Sequence, residues 1–211
     1  MRVFVTILLL MIVSLTSKMS ARECDDYNMM IEKADSLLLS DAEQCIPITR
    51  MLLEVESIPD YEKERLMYIL ESAMKNRVGD VANDFEFLSK TNEYGSLHKL
   101  SARYVLVYFN DPTCDECAIL KRELAESSLI NELLDNDDLS LLSLCVIGKT
   151  ADWELQMLPE NWIDACDEKM TILDDELYYL PSLPMMYLLD ENSKVLVKSA
   201  KLEKIEDFLR K

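Results

Sequence analysis

The sequence is poor in several things, and each shortage closes off a class of function. It has one histidine, His98, which rules against a His-rich metal centre and against a Ser-His-Asp hydrolase. It has only three glycines and six prolines, which excludes collagen-like, low-complexity and Gly-rich linker architectures. Basic residues are scarce: 22 Lys and Arg face 40 Asp and Glu, for a formal net charge of −18. With no basic stripe to offset it, such a surface repels phosphate backbones, so nucleic acid is excluded as a partner. It is also pushed away from anionic lipid head groups. What the chain does have is a hydrophobic content of 49%, enough for a real core in 211 residues. That length fits one domain with an appendage, or two small domains.

Residues Val3–Ser17 carry no charge, follow Arg2 and stop at Lys18. The stretch is shorter than the ~20 residues that span a bilayer comfortably. A basic start, a short apolar run and the small residues Ser20 and Ala21 describe a signal peptide over residues 1–21, cleaved after Ala21. The competing readings are an uncleaved anchor and lipidation at Cys24, the first cysteine after the leader. The second is opposed by Arg22 and Glu23, where a lipoprotein signal needs small residues. Peripheral membrane association would come only through one of these two routes. The mature chain is expected outside the cytoplasm, where disulfides persist.

Residues 22–77 have helical periodicity and no glycine. Met30, Ala34, Leu37 and Leu38 give one amphipathic helix. Pro47 suits the first turn of a second helix, with Met51, Leu52 and Val55 inward. Tyr61–Met74 gives a third, with Leu66, Ile69, Leu70 and Ala73 along one side. From residue 78 the texture changes. Phe85–Leu88 reads as a strand and Tyr94–Gly95 as a turn; Tyr104–Phe109 and Leu139–Ile147 read as buried strands. Helical stretches follow Cys114 and begin again at Ala151. Pro159–Lys169 reads as irregular or briefly helical, Tyr187–Leu189 and Val195–Val197 as a hairpin, and Leu202–Leu209 as a closing helix. The layout is α/β over residues 78–211, preceded by a small helical domain.

Six cysteines are present, at positions 24, 45, 114, 117, 145 and 166, and only Cys114-Asp115-Glu116-Cys117 has a chemically loaded spacing. A C-x-x-C that follows a buried strand and opens a helix surrounds its first cysteine with unsatisfied backbone N–H groups and the positive end of the helix dipole. Both favour the thiolate, the form that attacks a disulfide. The second cysteine lies one turn on and can attack the mixed disulfide that results. Cys114 is therefore the candidate nucleophile and Cys117 the resolving thiol. Half a zinc site is the alternative, but the other cysteines are scattered and His98 is solitary. A purely structural bridge closes too small a loop to constrain the unfolded chain much.

Asp115 and Glu116 place two carboxylates beside the thiolate and oppose the helix dipole, which favours a reductant or isomerase-like role over a strong oxidant; if both simply point to solvent, they shift little. Cys145 reads as an inert core thiol. Cys24 and Cys45 would staple the helical segment if their Cα atoms lie within reach, and Cys166 is either free or a partner for one of these. Trp153 and Trp162 read as core or lid packing, the methionines as core filler, and the acidic run Asp135–Asp138 as a solvated helix end. His98 is given no role.

Downstream, Leu180-Pro181-Ser182-Leu183-Pro184 runs straight into the strand that starts the hairpin. At this point the sequence resembles the thioredoxin fold, and more closely the exported TlpA/ResA-like thioredoxins of Bacteroidetes-type bacteria. The matching stretches are Val78–Phe87, Val105–Cys117, Trp153, Leu158–Asp167 and Leu183–Lys198. The resemblance implies a central mixed sheet flanked by helices. It implies a cis Leu183–Pro184 bond facing the cysteine pair, with the backbone of Leu183 and Pro184 binding substrate as an added strand. It also implies a periplasmic thiol–disulfide oxidoreductase acting on cysteine-containing proteins or small thiols, without cofactor or metal, and recharged by an electron donor that the sequence does not name. Two departures bear on substrate preference: Thr113 stands before the first cysteine where the family often has Trp, and Met185 follows the proline where it often has Thr. The alternative function is an interaction module on the same scaffold.

Overall fold

The computed structural model of the chain describes residues 21–40 and 42–211. All of the candidate leader but Ala21, and the side chain of Cys24, lie outside the described residues. Among the described residues no helix is long and apolar enough to cross a membrane. The chain divides into two compact units, one through Leu70 and one from Glu71 to Lys211.

Among the described residues three helices precede the sheet, α1 (Ala21–Ser40), α2 (Ala42–Leu53) and α3 (Asp60–Met74). In α1 the buried residues Ile31, Ala34 and Leu38 recur at three- and four-residue steps, the spacing that puts side chains on one face. Helix α2 begins earlier than Pro47 suggests, and the proline sits inside it. The reason is the buried set Cys45, Ile46, Thr49 and Leu52, which shares a face only if the helix already runs before the proline. Their burial outweighs the roughly 3 kcal/mol that an interior proline costs, and the ring of Pro47 itself is exposed. In α3 Leu66, Ile69 and Ala73 are buried. Asn76, at φ 46°, turns the chain out of the helix, and its side chain accepts from the Asn83 N–H at 2.7 Å and donates to the Leu177 carbonyl at 3.0 Å.

The second unit is built on one seven-stranded sheet. Its strands are β1 (Glu86–Ser89), β2 (Tyr94–Ser96), β3 (Tyr104–Asn110), β4 (Leu139–Cys145), β5 (Ile163–Cys166), β6 (Met185–Asp190) and β7 (Val195–Ser199), in the spatial order β2-β1-β5-β4-β3-β6-β7. The pairs β3–β4 and β4–β5 are parallel and the rest antiparallel. Helices α4 (Asp115–Glu126) and α5 (Ser128–Asp135) form the β3–β4 crossover. Short helices α6 (Ala151–Leu155) and α7 (Thr171–Asp174) flank β5, and α8 (Leu202–Leu209) closes the chain. The architecture is α/β, a mixed sheet flanked by helices and preceded by a helical segment.

Two sequence expectations give way here. Tyr94–Gly95 is a strand, and the turn lies earlier, where Asn92 takes the left-handed conformation at φ 59°. Gly95 belongs in the strand because the Phe87 ring lies across it: a Cβ there would stand 2.5 Å from the ring. Within Pro159–Lys169 lies strand β5, whose four residues fill the gap between β1 and β4. Its inward Asp164 hid it, and that carboxylate is satisfied by partners from three other positions, described below.

The sheet buries both faces. Val105, Val107 and Phe109 enter one core with Leu142, Leu144 and Tyr187; Leu106 and Tyr108 enter the other with Leu120, Leu124, Leu141 and Ile205. Phe109 packs edge-on to Tyr187 at 5.6 Å between centroids and lies tilted against Phe85 and Tyr178. Each such aromatic pair adds about 0.5–1.5 kcal/mol beyond burial. The end of β3 is thus held by aromatic packing on one face immediately before the cysteine motif.

Candidate active site

Strand β3 delivers the chain to a tight loop at its C-terminal end. Asp111 accepts from the N–H and the hydroxyl of Thr113, both at 2.8 Å, and its carbonyl accepts from the Cys114 N–H at 3.1 Å. This turn sets Cys114 in extended backbone, φ −84° and ψ 123°, as the N-cap of α4. Its sulfur accepts the Cys117 N–H at 3.1 Å, so the thiol takes the place that a Ser or Asp oxygen fills at ordinary helix starts. Two further groups face the sulfur: the Leu183 carbonyl at 3.7 Å and the Glu116 carboxylate at 3.9 Å. Asp115 and Glu116 are both exposed.

Cys117 points the other way. It is 2% exposed and packs on Tyr108, Leu120 and Leu124 in the core between α4 and the sheet. Burial pushes its thiol up to about 12, with a hydrogen bond to the Cys114 sulfur as the next cause. The Tyr108 hydroxyl donates to the Cys117 carbonyl at 2.6 Å, tying the first turn of α4 to β3. Both thiols are free. Across from them the Leu183–Pro184 bond is cis, with Pro184 buried and Met185 half-buried at the start of β6. The four residues singled out from sequence, Cys114, Cys117, Leu183 and Pro184, therefore converge at one end of the sheet.

The fold that carries these residues is shared with solved structures. A thioredoxin-like protein from Bacteroides caccae matches 81% of the chain at 32% identity with a TM-score of 0.76; the chain spans 62% of that protein's length. The C-terminal domain of an uncharacterized protein from Bacteroides fragilis, of which the chain covers 99%, is also 32% identical, over 65% of this chain, with a TM-score of 0.63. The chain has a thioredoxin-like fold. The thioredoxin domain of a thiol-disulfide oxidoreductase from Bacteroides vulgatus is similar in fold at 20% identity, with a TM-score of 0.51 over 62% of this chain and 96% of that one. No protein-family model matches the chain, and no curated protein does.

Other residues of the thioredoxin-like unit now have places. Asn110, unremarked in the sequence, is buried at the end of β3 and donates to the Tyr108 carbonyl at 3.1 Å and the Ser143 hydroxyl at 3.0 Å. The Asn110–Ser143 and Tyr108–Cys117 bonds carry no local signal, since their partners are 33 and nine residues away. Trp162 joins the core that holds Cys117, and Trp153 packs on Cys145 and Cys166. Its indole N–H donates to Asp164 at 2.9 Å, alongside Gln156 at 3.1 Å and the Lys90 ammonium at 3.2 Å. His98 has a partner after all: its ring shares a 2.7 Å hydrogen bond with the Ala82 carbonyl.

Proposed function

We propose that the chain is an exported thiol–disulfide oxidoreductase in which Cys114 is the nucleophile and Cys117 the resolving thiol. The observation that carries this is the division between the two sulfurs: one caps a helix and accepts a backbone N–H, the other is sealed beneath it. In the first step the Cys114 thiolate attacks a sulfur of a substrate disulfide. The S–S bond breaks, a mixed disulfide forms, and the departing thiolate takes up a proton. Cys117 then loses its proton and attacks the Cys114 sulfur, releasing the second substrate thiol and leaving a Cys114–Cys117 disulfide. A dithiol partner must return two electrons and two protons before the next cycle. An extended cysteine-containing peptide fits beside Leu183 and Pro184, where backbone hydrogen bonds would hold it as an added strand. The same reading takes residues 1–21 as an export leader, 22–77 as a helical domain and 78–211 as the catalytic domain, working in the periplasm.

Insulin reduction by dithiothreitol tests the reading. The wild type should turn over well above free thiol, and Cys114→Ala should fall to the free-thiol rate. A wild type with no turnover above dithiothreitol would favour the interaction module instead.

Direction follows from charge. Glu116 stands 3.9 Å from the Cys114 sulfur, and its carboxylate with that of Asp115 repels negative charge at the first turn of α4. The disulfide carries no such charge, so the couple should sit nearer roughly −270 mV than the roughly −120 mV of a strong oxidant. Equilibration with glutathione should show Asp115→Ala/Glu116→Ala shifted toward oxidant values. A wild-type potential near the oxidant end, or no shift in the double variant, would defeat this assignment of direction.

A further inference from the structure

Among the described residues three buried cysteines lie outside this chemistry, Cys45 in α2 and two that end strands of the sheet. Cys145 is the last residue of β4 and Cys166 the last of β5, and the two are direct partners in the parallel register. Side chains of directly paired residues leave a sheet on the same face, and neighbouring strands lie about 4.8 Å apart. That spacing falls within the roughly 4.4–6.8 Å between Cα atoms that a disulfide bridges. Both residues are 0% exposed and free. Cys166 is pushed up to about 12 by burial and then by the charge that Cys145 would carry, and Cys145 up to about 11 by burial.

Their placement is not remote from the site. Asn110, Cys145 and Cys166 end three adjacent parallel strands in one row. Alternation along β4 puts Cys145 on the same sheet face as Leu139 and Leu141, the face on which α4 and Cys117 pack. The pair shares a buried cluster with Trp153 of α6 and Leu88, with the half-buried Ile147 packed against it, and Trp153 is itself 2% exposed. Helix α6 is only five residues long. It is held down by a polar clasp: Lys90 donates to the Gln156 carbonyl at 2.7 Å and the Glu154 carbonyl at 3.3 Å, pairs with Asp164, and lies 5.5 Å over the Trp153 ring. The Trp153 indole and the Gln156 amide add bonds to Asp164 at 2.9 Å and 3.1 Å, so this short helix is fastened by a few polar contacts that centre on Lys90 and Asp164, and it is a cover that can lift.

We propose that Cys145 and Cys166 are a second dithiol, independent of Cys114 and Cys117, which closes into a β4–β5 disulfide when α6 lifts and a small-molecule disulfide reaches it. The exchange balances. One cysteine attacks the reagent and releases one small thiol; the other attacks the mixed disulfide and releases the second. Two S–H bonds and the reagent's S–S bond break, one protein S–S bond forms, and the reagent is reduced to two thiols.

The full-length C114A/C117A variant isolates this couple, so the outcome does not depend on the function assigned to the surface pair. After incubation with oxidised glutathione, acid quenching, alkylation under denaturing conditions and peptide mapping, the Cys145 and Cys166 peptides should be joined and lighter by two hydrogens. Cys166→Ser in the same background should leave no such product. Lys90→Ala, which removes the clasp while leaving the core intact, should speed closure about tenfold or more, because it deletes charge-assisted bonds to three groups. The proposal is overturned if Cys145 and Cys166 are recovered separately alkylated or glutathionylated, or if either is joined to a different cysteine. An unchanged rate in Lys90→Ala would overturn α6 as the cover.

Discussion

Iodoacetamide at pH 7 should modify Cys114 of the reduced protein first and leave Cys117 unmodified over the same interval. The thiolate is the reactive form, and its population sets the rate. A free cysteine with a pKa near ~8.5 is about 3% thiolate at pH 7. Cys117, pushed up to about 12, holds only on the order of one thiolate in 10⁵, so it should react roughly 10³-fold more slowly than a free cysteine before its burial is counted. Burial adds to this, since 2% exposure leaves the reagent almost no approach. Timed alkylation with peptide mapping measures both rates in one sample. A second arm separates the causes. In Cys114→Ala the hydrogen bond to the neighbouring sulfur is gone but the burial remains, and burial is the larger cause. Cys117 should therefore stay slow in that variant. Comparable labelling of the two cysteines in the wild type would overturn the assignment of roles.

If the chain is the oxidoreductase proposed above, the raised Cys117 thiol makes resolution the slow step of its cycle. Resolution needs Cys117 as a thiolate, yet its resting environment opposes that charge. Formation of the mixed disulfide removes the hydrogen bond between the two thiols, and a docked peptide shields the pair further. Burial in the α4 core persists through both changes. Mixed disulfides on Cys114 should accordingly be long-lived enough to trap by acid quench even without mutation, and Cys117→Ala should make them permanent.

Legibility in the sequence followed the range of the interactions concerned. Helix α8 was readable to the residue, because Leu202–Leu209 carries its own apolar stripe. Strand β3 was readable because Tyr104–Phe109 is continuous β-branched and aromatic sequence. The N-cap position of Cys114 was readable too, since a buried strand, a short loop and a C-x-x-C place it locally. Strand β5 was not: Asp164 looks wrong for a strand interior until Lys90, Trp153 and Gln156, which come from other elements, are seen to satisfy it. Strand β2 failed for a similar reason, as Gly95 signals a turn until the Phe87 ring across it is known. The facing of Cys145 and Cys166 depends on the β4–β5 register, which no spacing within either segment encodes. Tyr108 likewise gains its role only by reaching a carbonyl on the next helix.

Alkaline pH should unfold the reduced protein steeply, and the buried thiols should account for much of the slope. Burial pushes Cys117, Cys145 and Cys166 up to about 12, about 11 and about 12 in the folded protein, from the ~8.5–9 of an unperturbed thiol. Burial raises the phenols of Tyr108, Tyr178 and Tyr187 as well. A group whose folded pKa is raised contributes stability that is fully present below the unfolded value and is lost as pH rises toward the folded one. Above pH 9 the unfolded chain therefore holds fewer protons than the folded one, and stability falls with pH. Each thiol contributes a slope of about 1.4 kcal/mol per pH unit through that window. Three thiols acting together remove several kcal/mol by pH 11, on the order of a domain's whole stability of about 5–15 kcal/mol. Urea unfolding with reductant present should give a midpoint that is flat from pH 7 to 8.5 and drops sharply beyond 9. Self-repulsion of an acidic chain also grows with pH, so the decisive arm is a variant. Cys145→Ala/Cys166→Ala lacks two of the three thiols, and its stability should fall less steeply, by up to about 3 kcal/mol per pH unit, whatever its starting stability. A midpoint that holds level to pH 11 in the wild type, or equal slopes in wild type and variant, would mean that these sulfurs are not buried in the folded protein as described.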